Sequence, residues 1–371
     1  MTGAPHPALR VVFAGGGTGG HLFPGVAVAR ELMRRRPDAR IVFVGAGRGI
    51  ENRVLAREGF ALERIRSMGL MGKSLGAIGR AAALAPLTVV DALAVLRRTR
   101  PDVVVGLGGY SAGPVVLLAA IGGRPTMLME QNAVPGITNR LLAPVVRAAA
   151  VSYDAAADYF GAKAFVAGNP VRDAFLAPPV PSPGAGLRVL VLGGSQGAHP
   201  LNEAMVRAAP ALGAAGPGIA LTHQTGERDC EAVRAGYRQA GMTARVEPFL
   251  DTVAEDMRAA DAVVCRAGAT TLAEVAASGR PALIVPLPRA ANDHQRRNAA
   301  VFAAAGAAEV VEEAVLGTQL APRLLALLAD AGRREAMAEA ARRLARPDAA
   351  RRVVDRIERL AGLPPAGGDR E

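Results

Sequence analysis

Cysteine, tryptophan and lysine are nearly missing from this chain, and each shortage narrows what it can be. Of the two cysteines, Cys230 and Cys265, neither belongs to a CxxC pair, so the sequence offers no zinc site and no disulfide framework. A reducing compartment suits it. There is no Trp and only 4% of residues are aromatic, so the cores must be built from Ala, Val and Leu. No D-x-D occurs, the usual clasp for a metal-bound diphosphate, and no GxxxxGK[ST], which removes a P-loop ATPase. Residues 1–10 (MTGAPHPALR) are too short and polar for the apolar core of a signal peptide. The longest uncharged stretch, Val103–Gly123, carries Gly106, Gly108, Gly109, Gly113, Gly122, Gly123 and Pro114. It reads as strand, glycine turn and helix start rather than as a membrane span. The expectation is a soluble or peripheral protein.

What is there is a chain of 371 residues, half of them apolar, enough for two packed domains at roughly 150 residues each. The formal net charge of +11 is unevenly spread. Residues 1–175 hold 21 Lys+Arg against 11 Asp+Glu, whereas residues 176–371 hold 23 against 22. Only Lys73 and Lys163 are lysines, so an Arg-rich composition raises the total. A basic half beside a neutral half still points to one domain meeting an anionic surface, nucleic acid or membrane.

Along the chain, short apolar runs alternate with helical patterns. Strands are expected at Arg10–Ala14, Arg40–Gly45, Leu62–Arg66, Val103–Leu107 and Thr126–Glu130, with helices between them, one reaching Arg36 and one near Glu51–Glu58. Ala177–Gly186 (APPVPSPGAG) is a connector too poor in apolar residues to pack. The pattern then restarts at Leu187–Leu192, with later strands at Ile219–Thr222, Arg245–Pro248, Ala262–Cys265 and Ala282–Val285. This alternation predicts an α/β protein with two doubly wound, Rossmann-like parallel sheets. The last helical stretch breaks at Pro347, resumes through Asp355–Leu360 and stops at Gly362, and is expected to cross back onto the first domain. The expected division is 1–168 together with 347–371, and 169–346.

Parallel sheets bind ligands beyond the carboxyl ends of their strands, where helix N-termini present free N–H groups. Four loops are built for that: Gly15–His21 (GGGTGGH), Gly108–Pro114 (GGYSAGP), Gly193–Ala198 (GGSQGA) and Ala267–Thr271 (AGATT). Gly15, Gly17 and Gly20 also satisfy G-x-G-x-x-G. That fingerprint wants an acid at the end of the second strand, and here none precedes Glu51, which argues against NAD. Glu274 lies on the first or second turn of the helix opening near Thr270 and can accept from ribose hydroxyls; its plain alternative is a favourable charge near a positive helix end.

The segments GGGTGGH, GGYSAGP, MEQNAVPGITNR (Met129–Arg140), GNPVR (Gly168–Arg172), GGSQGA, CRAGATTLAEVAASGRPALIVPLP (Cys265–Pro288) and NDHQRRNA (Asn292–Ala299) follow in this order. Together they resemble the MurG family, the UDP-N-acetylglucosamine transferases that act on undecaprenyl-pyrophosphoryl-N-acetylmuramyl-pentapeptide in bacterial wall synthesis, from about Val11 to Leu360. The resemblance implies a GT-B fold, two Rossmann-like domains facing a central cleft, with the acceptor and membrane on the first and UDP-GlcNAc mainly on the second. It implies that Thr18, Gly19 and Gly20 lie near the sugar and diphosphate and Asn132 on the GlcNAc. Arg172 and Ser195 would meet the diphosphate, Leu250 the uracil, and Ala269, Thr270, Thr271, Leu272, Ala273 and Glu274 the phosphate and ribose. Gln295 would hold sugar hydroxyls. The family often has isoleucine at the position of Leu250, and some members carry Gln-Gln at His294-Gln295.

An α-linked donor and β-linked product imply inversion by direct displacement, with protein groups and no metal or other cofactor neutralising departing UDP. The base for the acceptor hydroxyl is expected to be His21, since an imidazole titrates near neutrality. Glu130 is the competing base, and His21 as a ligand that only orients the donor is the plainer role. His199, His223 and His6 are expected on the surface or in loops, and Cys265 in the core. Met68–Leu87 sets Leu70, Met71, Leu75, Ile78 and Leu84 beside Lys73 and Arg80, which suits interfacial insertion, or an ordinary helix packed on its sheet. Partners are therefore UDP-GlcNAc, the lipid diphosphate (lipid I) and the cytoplasmic face of the inner membrane, met peripherally. The alternatives are a UDP-GlcNAc 2-epimerase of similar fold, an NAD oxidoreductase, a sugar-nucleotide sensor and a nucleic-acid module. The last lacks clustered aromatics and any helix-turn-helix, so no nucleic acid is expected.

Overall fold

The computed structural model describes residues 8–47, 49–67, 75–180, 186–194, 197–215, 218–288, 290 and 293–364, with side chains from Leu84 onward in the helix that begins at Leu75. The chain divides into two compact units, Met1–Pro170 with Asp348–Glu371, and Val171–Pro347.

Unit 1 runs β1 (Arg10–Gly15), α1 (Gly19–Arg35), β2 (Arg40–Gly45), α2 (Gly49–Glu58), β3 (Ala61–Arg64), α3 (Leu75–Thr99), β4 (Val103–Gly108), α4 (Ala112–Ile121), β5 (Thr126–Glu130), α5 (Ile137–Leu142), β6 (Ala148–Val151), α6 (Asp154–Ala157) and β7 (Ala164–Val166). The strands pair in parallel in the order β3-β2-β1-β4-β5-β6-β7. β1, β4 and β5 are apolar almost end to end because helices cover both faces of such a sheet. The period of two sends Phe13 to one core with Leu22, Leu32 and Phe43, and its neighbours Val12 and Ala14 to the other with Val115 and Leu128.

Unit 2 repeats the plan with β8 (Arg188–Leu192), α7 (His199–Ala214), β9 (Ala220–Gln224), α8 (Cys230–Gln239), β10 (Ala244–Glu247), α9 (Val253–Ala259), β11 (Ala262–Arg266), α10 (Ala269–Ser278), β12 (Ala282–Val285), α11 (His294–Ala304), β13 (Ala308–Val310), α12 (Leu316–Ala329) and α13 (Ala331–Leu344). Its parallel order is β10-β9-β8-β11-β12-β13. The last helix, α14 (Ala349–Leu360), packs on α1 of unit 1 and adds Val353, Val354 and Ile357 to the Phe13 core.

Strand order reverses between β1 and β4 in unit 1 and between β8 and β11 in unit 2. Each reversal opens a crevice at the carboxyl edge of its sheet. The four glycine loops follow these four strands, so within each unit two of them flank the switch point.

Three strands escape a reading by apolar pattern: β6, β7 and β13. β6 is AAAV, with a single β-branched residue to mark it, and the other two are three residues long. The proline-rich stretch is also not the isolated connector its composition implies. Val180 N–H donates to Arg258 O at 3.0 Å and Arg258 Nη1 to Pro178 O at 3.0 Å, so its described part is fastened to unit 2. Hydrogen bonds to its backbone hold it where side-chain burial cannot.

Candidate functional site

In unit 1 the first glycine loop lies against the second. Gly15 has φ +113°, and a Cβ there would stand 2.2 Å from the carbonyl oxygen of Gly108, so only glycine lets the two backbones touch. Glu51 is buried and accepts the N–H of Gly17 at 2.8 Å, while the backbone of Gly45 closes over it so tightly that a Cβ would meet Oε1 at 2.4 Å. The acid nearest the G-x-G-x-x-G fingerprint is thus inside the loop's own support.

Thr18 caps α1 in extended conformation and is exposed, and Gly19 and Gly20 are the first helical residues. They present the helix N-terminus, where backbone N–H groups lack intrahelical acceptors. His21 follows, half-buried, with Nδ1 2.9 Å from Oε1 of Gln131. Gln131 directly succeeds β5 and is buried. Glu130, the last residue of β5, is buried with both oxygens occupied. Oε1 accepts from N–H and Nδ2 of Asn132 at 3.0 and 3.2 Å, and Oε2 from Gly136 N–H at 3.0 Å and Asn139 Nδ2 at 2.8 Å. Four donors suit this carboxylate to organise the 131–139 loop. Asn132 is held by the same carboxylate.

In unit 2 Glu274 sits in the second turn of α10, not the first, and is buried. Burial pushes its carboxyl up to about 7, against the pull of Arg172, whose Nη2 lies 3.5 Å from Oε1. Arg172 stacks 4.9 Å from the ring centroid of Phe175. Cys265 lies in the core, and burial, with the charge of Glu274 added, pushes its thiol up to about 12, so it is inert at neutral pH. Ala269, Thr270 and Thr271 form the opening turn of α10. Leu272 N–H makes its first i−4 bond, to Gly268 O, at 2.9 Å. The side chains of Leu272 and Leu250 are buried in one apolar cluster, so any ligand contact from either is through the backbone. Ala273 follows within the same helix. Gln295, at the start of α11, accepts the N–H of Leu287 at 3.0 Å. Ser195 lies outside the described residues, as does His6.

Two glutamines passed over in the sequence prove structural to these sites. Gln131 contacts His21, and Gln224, at the end of β9, donates to Gly194 O at 2.9 Å and accepts Leu250 N–H at 3.3 Å. Gln131 falls within the MEQNAVPGITNR segment, a signal that was available. Gln224 lies two residues past the expected end of its strand. His223 is a correction: it is wholly buried, not in a loop, because Tyr237 Oη and Asn202 Oδ1 satisfy its two nitrogens at 2.8 and 3.1 Å. His199 opens α7, half-exposed, beside Asp229 at 3.0 Å.

Residues 11–151 match the glycosyltransferase family 28 N-terminal domain, and residues 188–353 match its C-terminal domain. A protein of an Anaeromyxobacter species named UDP-N-acetylglucosamine–N-acetylmuramyl-(pentapeptide) pyrophosphoryl-undecaprenol N-acetylglucosamine transferase is 45% identical over 336 residues, 89% of this chain and 88% of its own. The protein of that name from Geobacter sulfurreducens is 43% identical over 89% of this chain and 92% of its own. The crystal structure of MurG from Acinetobacter baumannii superposes with a TM-score of 0.73 at 32% identity, over 95% of this chain and all of that one. A putative UDP-N-acetylglucosamine 2-epimerase from Listeria monocytogenes reaches a TM-score of 0.69 at 16% identity, over 95% of this chain and 96% of that one, a likeness of fold alone. Two parallel α/β units with the GT-B architecture, both family 28 domains in order and high identity over most of the length mean that this chain belongs to the MurG family of glycosyltransferases.

Proposed function

We propose that this protein is an inverting glycosyltransferase that moves GlcNAc from UDP-GlcNAc to the 4-hydroxyl of MurNAc in undecaprenyl-pyrophosphoryl-MurNAc-pentapeptide, lipid I, forming lipid II for peptidoglycan synthesis. The observation that carries it is the 45% identity, across nine-tenths of the chain, to proteins bearing that activity in their name.

Unit 2 holds the donor in this reading. Glu274 accepts from the ribose hydroxyls, which favours its ionised form and releases Arg172 toward the diphosphate. Ser195 and the opening turn of α10 add donors, Leu250 offers backbone to the uracil, and Gln295 and Asn132 meet the sugar. Unit 1 holds the acceptor, with Thr18, Gly19 and Gly20 close to the reacting sugar and diphosphate. A helix N-terminus contributes ~0.3–2 kcal/mol and a charge-assisted bond from Arg172 ~1.5–3 kcal/mol. Enzymes reach ~8–23 kcal/mol, so positioning and a base supply the rest.

His21 is that base. It withdraws the proton of the 4-hydroxyl as the oxygen bonds to the anomeric carbon, and the bond to UDP breaks with its electron pair leaving on phosphate. The filled hydrogen-bond set of Glu130 supports a positioning role for that residue instead. A His21→Ala protein is expected to lose ~10²–10⁴-fold in turnover, and turnover within about tenfold of the parent would remove His21 from the role.

Unit 1 meets the cytoplasmic face of the membrane. The segment singled out for this, Met68–Leu87, is only partly described, but the neighbouring helices support the reading. Val90 on α3, Ile121 ending α4 and Leu141 on α5 are exposed, the last two at 73%, with Arg124, Arg140 and Arg147 also at the surface. Among the described residues no single helix is long and apolar enough to cross a membrane. Flotation with anionic vesicles, reduced with zwitterionic ones, is expected; equal absence from both would end the membrane assignment.

The deciding experiment supplies UDP-GlcNAc and a synthetic lipid I analogue with EDTA present and follows the disaccharide. Disaccharide formation is expected. Release of UDP-ManNAc from donor alone, with no disaccharide, would make the protein a 2-epimerase.

A further inference from the structure

His21 is gripped on two sides by groups that the transfer reaction does not itself require. Oε1 of Gln131 lies 2.9 Å from its Nδ1. The side of Gly108 that a Cβ would occupy is filled by the imidazole, with Nδ1 and Cε1 both 3.0 Å from that point. Gly108, at φ +101°, thereby leaves room for the ring beside the backbone.

The orientation of the Gln131 amide follows from its surroundings. Its Nε2 faces two carbonyl oxygens, Leu107 O and Met129 O, each at 3.4 Å. Turning the amide over would set an oxygen against both, in a buried place where that repulsion is unscreened. The amide oxygen therefore faces His21, and an oxygen that can only accept requires the hydrogen to be on Nδ1. The lone pair is then on Nε2.

We propose that Gln131 is the positioning residue that fixes His21 in the Nδ1–H tautomer, so that Nε2 is the atom that takes the proton from the attacking hydroxyl. This rests on the reading of His21 as base. The proton passes from the hydroxyl to Nε2, giving an imidazolium whose Nδ1–H remains bonded to Gln131, while the new C–O bond forms and the bond to phosphate breaks. A neutral amide orients the ring without setting a charge beside it, unlike a carboxylate in the same place.

The test uses the full chain labelled with ¹⁵N-histidine, in which the five histidines are sorted by a His21→Ala spectrum. Long-range ¹H–¹⁵N spectra of the parent should show His21 as the Nδ1–H tautomer. Gln131→Met keeps the volume and removes the acceptor, so the tautomer ratio should move toward Nε2–H. Turnover should fall ~10²-fold or more, with KM for UDP-GlcNAc within about twofold. Gln131→Glu restores an acceptor: it should return the Nδ1–H tautomer, recover turnover and move the acidic limb of the kcat/KM profile up by about one pH unit. An unchanged tautomer in Gln131→Met overturns the inference about Gln131 and leaves His21 as base standing. A changed tautomer with parental turnover overturns both, and the His21→Ala rate tests the base by itself.

Discussion

Arg36 and Glu358 lie 322 residues apart in sequence, yet Nε of one meets Oε1 of the other at 2.6 Å, with the carboxylate wholly buried. Arg35 adds Nη1 at 3.3 Å from the second oxygen and 2.5 Å from Asp355. The pairs tie α14 to α1 around the apolar contact of Val353, Val354 and Ile357. Glu358→Ala would take the carboxylate from Arg36 and one of three from Arg35, which keeps Glu31 and Asp355, and should cost ~1–3 kcal/mol, read as a lower urea midpoint for the unfolding of unit 1.

Gly15→Ala is expected to break the first loop. The new Cβ would meet a backbone carbonyl at 2.2 Å, at a φ that L side chains avoid, and neither partner is the end of a flexible side chain. Gly136, in a loop of the same unit, has no atom within 4 Å of its Cβ position and an ordinary φ of −62°. Gly136→Ala should therefore stay within about 1 kcal/mol of the parent, while Gly15→Ala yields a protein with a markedly lower melting temperature or none that folds.

Glu274 should make the ligand-free protein less stable as pH rises. Its folded carboxyl titrates at about 7 against 4.5 for the ordinary group, so between those values the folded chain binds more protons than the unfolded one. Stability from this residue is complete below about pH 4.5 and is lost as pH climbs through 7, at up to ~1.4 kcal/mol per pH unit. Glu274→Gln should flatten that part of a melting-temperature profile and gain on the parent toward pH 8. A mutant curve parallel to the parent's would contradict this.

His223 works in the opposite sense. Burial lowers it to about 3 from 6.5, so the unfolded chain binds the extra proton and stability from this site falls as the solution is acidified from pH 6.5 toward 3. Its neutral form fits the network: Tyr237 Oη donates to Nδ1 and Nε2–H donates to Asn202, whose Nδ2 in turn donates to Thr225 O and Asp229. His223→Gln should unfold less steeply over that acid range, while costing ~1–3 kcal/mol at neutral pH for the partners left unsatisfied.

Much of this architecture was legible because a parallel sheet covered on both faces writes its strands as unbroken apolar runs, as in VVVGLG of β4 and AVVCR of β11. The glycine loops were legible for a related reason: at Gly15 and Gly197 a Cβ would collide with backbone, and at Gly108 it would meet the His21 ring at a φ of +101°, so glycine is favoured at all three. β6 was not, since AAAV belongs to a strand only by its pairing with β5 and β7. Nor was the burial of His223, which depends on Tyr237 and Asn202 arriving from α8 and α7. Glu130 reads as a base from sequence because its four donors come from a loop folded back on it, a fact of geometry that no spacing encodes.

Unit 1 is made from both ends of the chain, and that fixes an order of events on the ribosome. Its described strands leave the exit tunnel before any of Val171–Pro347, but α14, which packs on α1, follows all of that unit. The nascent unit must therefore wait, without Val353, Val354 and Ile357 in its Phe13 core, until the whole of the second unit has been synthesised.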